Sequence, residues 1–278
     1  MNHPNYRSLA GMEEIQSIYD AVIAGWPAPN ERHAIDTRHG RTFAITSGDK
    51  SGPALILLHG SASSSFGWMN DAARYGRFFH TIAVDIPGEA GKSDPRRFSW
   101  QDDSAGEWLA DIYSHFDLRQ ASLAGLSLGG YFAARFAAGR PAAVSRLALI
   151  SAGGICRERA SFIPKAILWK CMGARGEERM EHALFRRPLP PEVSHLFRLM
   201  AREFIPRMEK LRLLSDEEIR RLAMPILFLG GSHDILVDTA VSAARLRRLL
   251  PHAKTILVPE AGHALTDTAP LILEFLMA

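Results

Sequence analysis

Cysteine is nearly missing from this chain: Cys156 and Cys171 are the only two in 278 residues. A small secreted scaffold built on disulfides is therefore excluded, and a reduced, cytoplasmic setting is expected. Long apolar runs are missing too. No stretch approaches the roughly 18 apolar residues that a membrane-spanning helix needs, so no membrane association is expected. Met1–Ala10 lacks the basic start, apolar centre and cleavage site of a secretory leader, and none is expected. An excess of one charge is also lacking, with 33 Lys+Arg against 30 Asp+Glu. Combined with 47% hydrophobic residues, that balance excludes a disordered chain. No internal repeat or low-complexity segment is present.

The small positive net charge of +3 is unevenly spread. Residues 153–221 carry 15 Lys+Arg and 10 Asp+Glu, which leaves the rest of the chain slightly acidic. Nucleic-acid binding would need a dense basic face with interleaved aromatics. Here arginines alternate with glutamates, as in Arg157-Glu158-Arg159 and Glu177-Glu178-Arg179. That texture reads as a solvated helical surface, and no nucleic-acid partner is expected.

Apolar residues recur at helical spacing over residues 8–24, and Gly25-Trp26-Pro27 ends that run. Ala34–Thr37 and Thr42–Thr46, split by His39-Gly40, predict a hairpin. Beyond Gly52-Pro53 come short continuous apolar runs: Ala54–Leu58, Thr81–Val84, Ala121–Ala124, Leu147–Ile150, Ile226–Leu229 and Thr255–Val258. Runs of this kind predict strands buried on both faces of a parallel sheet. Helical candidates fall between or after them at 104–116, 128–139, 238–250 and 269–277. The alternation predicts an α/β fold with a mostly parallel central sheet flanked by helices. Residues 153–221 break it. Apolar residues at helical spacing, interrupted by Pro164, Pro188, Pro190, Pro191 and Pro206, predict a cluster of short helices inserted between two strands. The insertion is too long to be a plain connection and is a candidate lid.

Gly125-Leu126-Ser127-Leu128-Gly129 is a G-x-S-x-G pentapeptide lying between a strand run and a helix-like segment. In that context Ser127 occupies a tight strand-to-helix turn, with Gly125 and Gly129 giving room to the neighbouring strand and helix. A helix N-terminus behind the hydroxyl favours developing negative charge. A serine nucleophile needs a base within hydrogen-bond reach. Among eleven histidines, His263 follows the last strand run at the C-terminal edge of the sheet, the edge that also holds Ser127. His252 falls at the opposite end of that strand. His233 is a rival, but its neighbour Asp234, at the end of Ile226–Leu229, suits the role of orienting His263. Asp238 is the alternative carboxylate, although it also reads as a helix N-cap. For an oxyanion, the amide of Leu128 is one donor. The amide of Ser61, in His59-Gly60-Ser61 after the first parallel strand, is the expected second. His59 itself reads as structural, its ring bonded to loop backbone.

Taken together, the His-Gly loop, the serine turn, Gly231-Ser232-His233-Asp234, Ala261-Gly262-His263 and Asp85-Ile86-Pro87-Gly88 resemble the α/β-hydrolase superfamily in content and order. The resemblance covers 31–152 and 222–278 and implies that 153–221 is the variable cap, with 1–30 a helical extension. The extension, ending in Trp26-Pro27-Ala28-Pro29, is similar to those of some bacterial carboxylesterases. It implies a serine hydrolase of the carboxylesterase kind, with Ser127, Asp234 and His263 as catalytic residues and a small acyl substrate. One departure stands out: the family loop D-x-P-G-x-G-x-S is one residue longer here, running DIPGEAGKS over Asp85–Ser93. A serine at 127 disfavours the haloalkane dehalogenases and epoxide hydrolases of this fold, which use an aspartate.

The same scaffold and triad also serve carbon–carbon bond hydrolases, lactonases, thioesterases and cofactor-free haloperoxidases. A ligand-sensing receptor that keeps the triad is the alternative outside enzymes. Phe66, Trp68, Phe162, Trp169 and Phe204 are candidates for an acyl pocket, core or cap packing being the plainer expectation. No metal or organic cofactor is expected, since the two cysteines lack the spacing of a zinc site. Trp26 and the helix before it pack on the body or form a dimer contact; the sequence leaves both open.

Overall fold

A computed structural model describes residues 4–207 and 209–278. The chain starts with helix α1 (Leu9–Ala24), followed by strands β1 (Asn30–Thr37), β2 (Gly40–Ser47) and β3 (Ala54–Leu58). A 3₁₀ turn (Ser65–Trp68) leads into α2 (Met69–Tyr75) and β4 (His80–Val84). Then come α3 (Ser104–His115), β5 (Ala121–Leu126), α4 (Leu128–Gly139) and β6 (Val144–Ile150). Four helices follow without a strand: α5 (Phe162–Cys171), α6 (Ala174–Phe185), α7 (Pro191–Glu203) and α8 (Asp216–Arg220). The chain ends with β7 (Ile226–Gly231), α9 (Thr239–Leu249), β8 (Lys254–Val258) and α10 (Ala269–Met277).

The eight strands form one sheet in the order β1-β2-β4-β3-β5-β6-β7-β8. β2 runs antiparallel to both its neighbours, and all other pairs are parallel. Successive side chains on a strand point to opposite faces, so each central strand feeds two cores. Ile56, Leu58, Leu147, Leu149 and Phe228 meet Trp108 of α3, Phe132 and Phe136 of α4 and Leu246 of α9. Leu55, Leu57, Ala148, Ile150, Leu227 and Leu229 meet Tyr19 and Ile23 of α1, Tyr75 of α2 and Phe275 of α10. Helices on both faces are why these strands read as unbroken apolar runs. β8 differs from that expectation: it lies at the sheet edge and is only partly buried. The helix α2 was not apparent from sequence.

The extension packs on the body. Trp26 is buried and its indole N–H donates to the Ser47 hydroxyl at 3.0 Å. The Tyr19 hydroxyl reaches into the sheet edge, 2.6 Å from Ser65 Oγ and 2.9 Å from Asp85 Oδ1. Ahead of α1, Tyr6 pairs antiparallel with Phe204 at the end of α7, and Arg7 N–H donates to the Glu203 carbonyl at 2.8 Å. The extension thus ties one end of the helical insertion to the body.

Parts of 153–221 pack with the sheet and its helices. Ile219 of α8 and its neighbours Leu214 and Leu222 lie in the main core, and the Arg245 guanidinium of α9 bonds Asp216 at 2.6 Å. α8 therefore belongs to the body. Its charged first turn pairs with arginines, Asp216 with Arg245 and Glu218 with Arg212, and Ile219 is the buried residue of the helix. Residues 153–156, which follow β6, are likewise buried. Helices α5 to α7 lie between these two segments.

Candidate active site

Ser127 is positioned by close packing on both sides. A Cβ at Gly125 would lie 2.5 Å from the Gly129 carbonyl, and one at Gly129 would lie 2.3 Å from the Leu58 oxygen. Real Cβ atoms do not approach backbone so closely, so only glycine lets α4 start this near β3 and β5. Between them Ser127 has φ 52° and ψ −108°, a conformation an L-residue holds only when its surroundings impose it. Here the Ser127 N–H donates to the Ile150 carbonyl at 2.8 Å, and its own carbonyl accepts from Tyr131 N–H at 3.0 Å. The turn lifts Oγ off the end of β5.

His263 meets that hydroxyl. Its Nε2 lies 2.9 Å from Ser127 Oγ, and its Nδ1 lies 2.8 Å from Asp234 Oδ2. An ionised carboxylate only accepts, so the ring proton sits on Nδ1 and Nε2 is free to accept the serine proton. Asp234 is itself fixed: Oδ1 accepts from Leu236 N–H at 2.8 Å and Val237 N–H at 2.9 Å. Both Asp234 and His263 are buried, which strengthens their interaction relative to water. The loops after β7 and β8 are locked together. The His233 N–H donates to the Ala261 carbonyl at 2.9 Å, and a Cβ at Gly231 would collide with the Gly262 oxygen. Ala264 N–H donates to Leu184 of α6 at 3.0 Å. The insertion thus touches the histidine loop directly, a contact that sequence did not indicate.

The other candidates fall elsewhere. Asp238 caps α9, accepting from Val241 N–H at 3.2 Å, and pairs with Arg159 at 3.0 Å. His233 is exposed, with Nδ1 2.9 Å from Ser232 Oγ. His252 faces the Leu222 and Met224 carbonyls at 3.2 Å, away from the site.

The ring of His59 bonds loop backbone on both sides. Its buried Nε2 accepts from Ile86 N–H at 2.9 Å, so Nδ1 carries the proton and donates to the Gly60 carbonyl at 2.7 Å. Burial holds the ring below the usual histidine range and keeps it neutral. Gly60 packs beside Ser127, a Cβ there standing 3.5 Å from Ser127 Cβ. Among the described residues, no protein group accepts from the Ser61 amide. Leu128 is the first residue of α4, so its amide has no helical acceptor. Both remain available to an incoming oxygen.

Two acidic residues flank this loop. Asp85 is fully buried and accepts from Ser65 N–H, Ser65 Oγ and Lys92 N–H, each at 2.7 Å, and from Tyr19. Glu89, in the lengthened loop, was not singled out from sequence. It is buried, and its Oε2 accepts from Ala62 N–H at 2.6 Å and from Ser61 Oγ at 3.3 Å. Burial pushes its carboxyl up to about 7. The one-residue lengthening of the DIPGEAGKS loop was the available signal. Of the aromatic candidates, Trp68 and Phe204 are buried in core packing, Phe66 is partly buried, and Phe162 and Trp169 meet edge-on on α5. A cavity of about 290 Å³ opens beside the Asp234 loop, where Arg159, Lys165 and Arg186 give it a basic wall.

An eight-stranded, mostly parallel sheet with helices on both faces is the α/β-hydrolase fold, and the chain belongs to the Alpha/beta hydrolase family, whose sequence model matches residues 55–273. It is similar to carboxylesterase YbfK of Bacillus subtilis, 30% identical over 268 residues that span 91% of this chain and 88% of that protein. The uncharacterized carboxylesterase nap of the same organism is 28% identical over 91% of this chain and 87% of its own length. Among solved structures, carboxylesterase CesB (YbfK) from B. subtilis superposes with a TM-score of 0.84 at 27% identity, covering 96% of this chain and 99% of that one. Naproxen esterase (carboxylesterase NP) from B. subtilis gives 0.84 at 26% identity, covering 95% of each. Among the described residues no helix is long and apolar enough to cross a membrane.

Proposed function

We propose that this protein is a serine hydrolase that cleaves a small carboxylic ester through an acyl-enzyme. The observation that carries the reading is the unbroken chain Ser127–His263–Asp234, with hydrogen-bond lengths of 2.9 and 2.8 Å. Ser127 Oγ attacks the ester carbonyl carbon while its proton passes to His263 Nε2. The imidazolium faces Asp234, which holds the ring and stabilises its charge. The carbonyl oxygen becomes an oxyanion between the amides of Ser61 and Leu128. Collapse breaks the ester bond, and His263 returns the proton to the leaving alcohol. Water then enters, gives its proton to His263 and attacks the acyl carbon. The acid leaves as Ser127 recovers its proton.

The relatives named as carboxylesterases support an ester as the substrate. We assign helices α5 to α7 the role of a cap, supported by the Leu184 contact to the loop of His263. We also place the protein in the cytoplasm, in keeping with its two unpaired cysteines. The test is hydrolysis of p-nitrophenyl acetate, butyrate and octanoate by the wild type and by Ser127→Ala. Turnover by the wild type alone supports the reading. Tight stoichiometric binding without turnover would instead favour a receptor.

A further inference from the structure

Glu89 has no part in the proton transfers above, yet its side chain is buried against the oxyanion loop. The Ser61 amide belongs to the Gly60–Ser61 peptide. In a trans peptide the N–H and C=O point in opposite directions, so anchoring one aims the other. The His59 ring anchors that carbonyl at 2.7 Å. The next peptide, Ser61–Ala62, is anchored by Glu89, which accepts its N–H at 2.6 Å. Ala62 has φ 53°, a left-handed conformation that an L-residue keeps only when held there. Glu89 also accepts from the Ser61 hydroxyl at 3.3 Å. The Glu89 loop is braced in turn: Asn5 Nδ2 donates to the Gly88 carbonyl at 3.1 Å, and Glu89 N–H donates to the Ile86 carbonyl at 3.1 Å.

We propose that Glu89 is a positioning residue for the oxyanion site, clamping the Ser61–Ala62 peptide so that, with His59 on the preceding peptide, the Ser61 amide stays aimed at the developing charge. The assignment rests on the reading of Ser61 and Leu128 as oxyanion donors. What the clamp requires of residue 89 is an acceptor at the right reach. A glutamine offers the same reach with a neutral carbonyl. A methionine fills similar space without an oxygen acceptor, and an aspartate keeps the charge but falls one methylene short.

The loop acts on the transition state more than on bound substrate, so its loss should appear in kcat and not in KM. The experiment compares Glu89→Met, Glu89→Asp and Glu89→Gln with the wild type on p-nitrophenyl butyrate. It also measures inhibition by 2,2,2-trifluoroacetophenone, whose serine adduct carries an oxyanion. Removing a direct oxyanion donor lowers kcat about 100- to 1,000-fold. Loosening one donor's support should lower it by at least about tenfold in Glu89→Met and Glu89→Asp. KM should stay near wild type, ketone affinity should fall in step with kcat, and Glu89→Gln should recover most of the activity. Glu89→Asp retains a buried carboxylate and serves if Glu89→Met does not fold. Wild-type kcat in both loss variants would overturn the proposal. Equal impairment of Glu89→Gln, or a loss confined to KM with ketone affinity intact, would overturn it too. Ser127→Ala run alongside separates the two claims. If it still turns over, the triad reading fails; if it is inert while the Glu89 variants are normal, only the clamp fails.

Discussion

Ser127 and His263 lie 136 residues apart in sequence and 2.9 Å apart in space. The whole helical insertion, β7, α9 and β8 intervene. β5 and β8 are held in one sheet through β6 and β7, which brings the ends of both strands to one edge.

The choice of carboxylate can be tested by paired substitutions. Asp234→Asn keeps the shape but no longer enforces the tautomer that leaves Nε2 free, and a loss on the order of 10,000-fold in kcat is expected from the same change in a serine protease. Asp238→Asn removes the ion pair to Arg159 but keeps a good N-cap residue on α9. It should remain within a few-fold of the wild type. Steady-state kinetics on p-nitrophenyl butyrate decide the matter, and a severe defect at 238 with normal turnover at 234 would reverse the assignment.

Two glycines of α4 should respond in opposite directions. Gly129→Ala drives a Cβ to within 2.3 Å of the Leu58 oxygen, and overpacking of this sort costs about 3 kcal/mol or more where backbone cannot yield. Gly139, at the exposed end of the same helix, has nothing within 4 Å of an added Cβ. Gly139→Ala should stabilise the protein by about 0.5–1 kcal/mol, chiefly by restricting the unfolded chain. Thermal melts should show the first falling well below the wild type and the second slightly above it.

The Tyr19 hydroxyl donates to the fully buried Asp85 carboxylate. Burial and the nearby Asp85 charge raise the Tyr19 hydroxyl well above its usual range, so it stays a neutral donor. Tyr19→Phe keeps the ring and deletes one hydrogen bond to a charged group, a change worth about 1.5–3 kcal/mol. Urea denaturation should show a lower midpoint at an unchanged slope. An unshifted midpoint would mean that α1 adds little to the body.

Glu89 makes stability depend on pH in a defined direction. Its carboxyl is raised to about 7 in the folded protein, mainly by burial, whereas an unfolded glutamate ionises near its ordinary value of about 4.3. Between those values the folded state holds more protons than the unfolded one, so stability falls as pH rises through the window and the loss is complete above it. The size is on the order of 3 kcal/mol. Glu89→Gln cannot ionise. Its Tm should therefore rise relative to the wild type as pH increases from 4.5 to 8 and level off beyond; a difference independent of pH would contradict the raised ionisation.

Much of the candidate site was legible because the residues that meet there sit at strand ends. Ser127, Asp234 and His263 each follow a short apolar run, and parallel strands bring their C-terminal ends to one edge. The runs themselves were legible because both faces of the sheet are covered. Other features depend on partners distant in sequence. Trp26 finds its acceptor in Ser47 across the hairpin, which no local pattern reveals. α2 has only a few inward residues, Ala72 and Tyr75 among them, too few to mark a period. α8 begins with three acids and resembles the insertion before it, although Ile219 is buried in the body. Glu89 was not singled out, since its burial comes from packing against the Ser61–Ala62 loop.

The central claim is that Ser127 is the nucleophile. The direct test is intact-protein and peptide mass spectrometry after treatment with a fluorophosphonate. One equivalent should attach to the peptide containing Ser127, with parallel loss of esterase activity and no labelling of Ser127→Ala. Labelling at another residue, or ester hydrolysis undiminished in Ser127→Ala, would contradict the account.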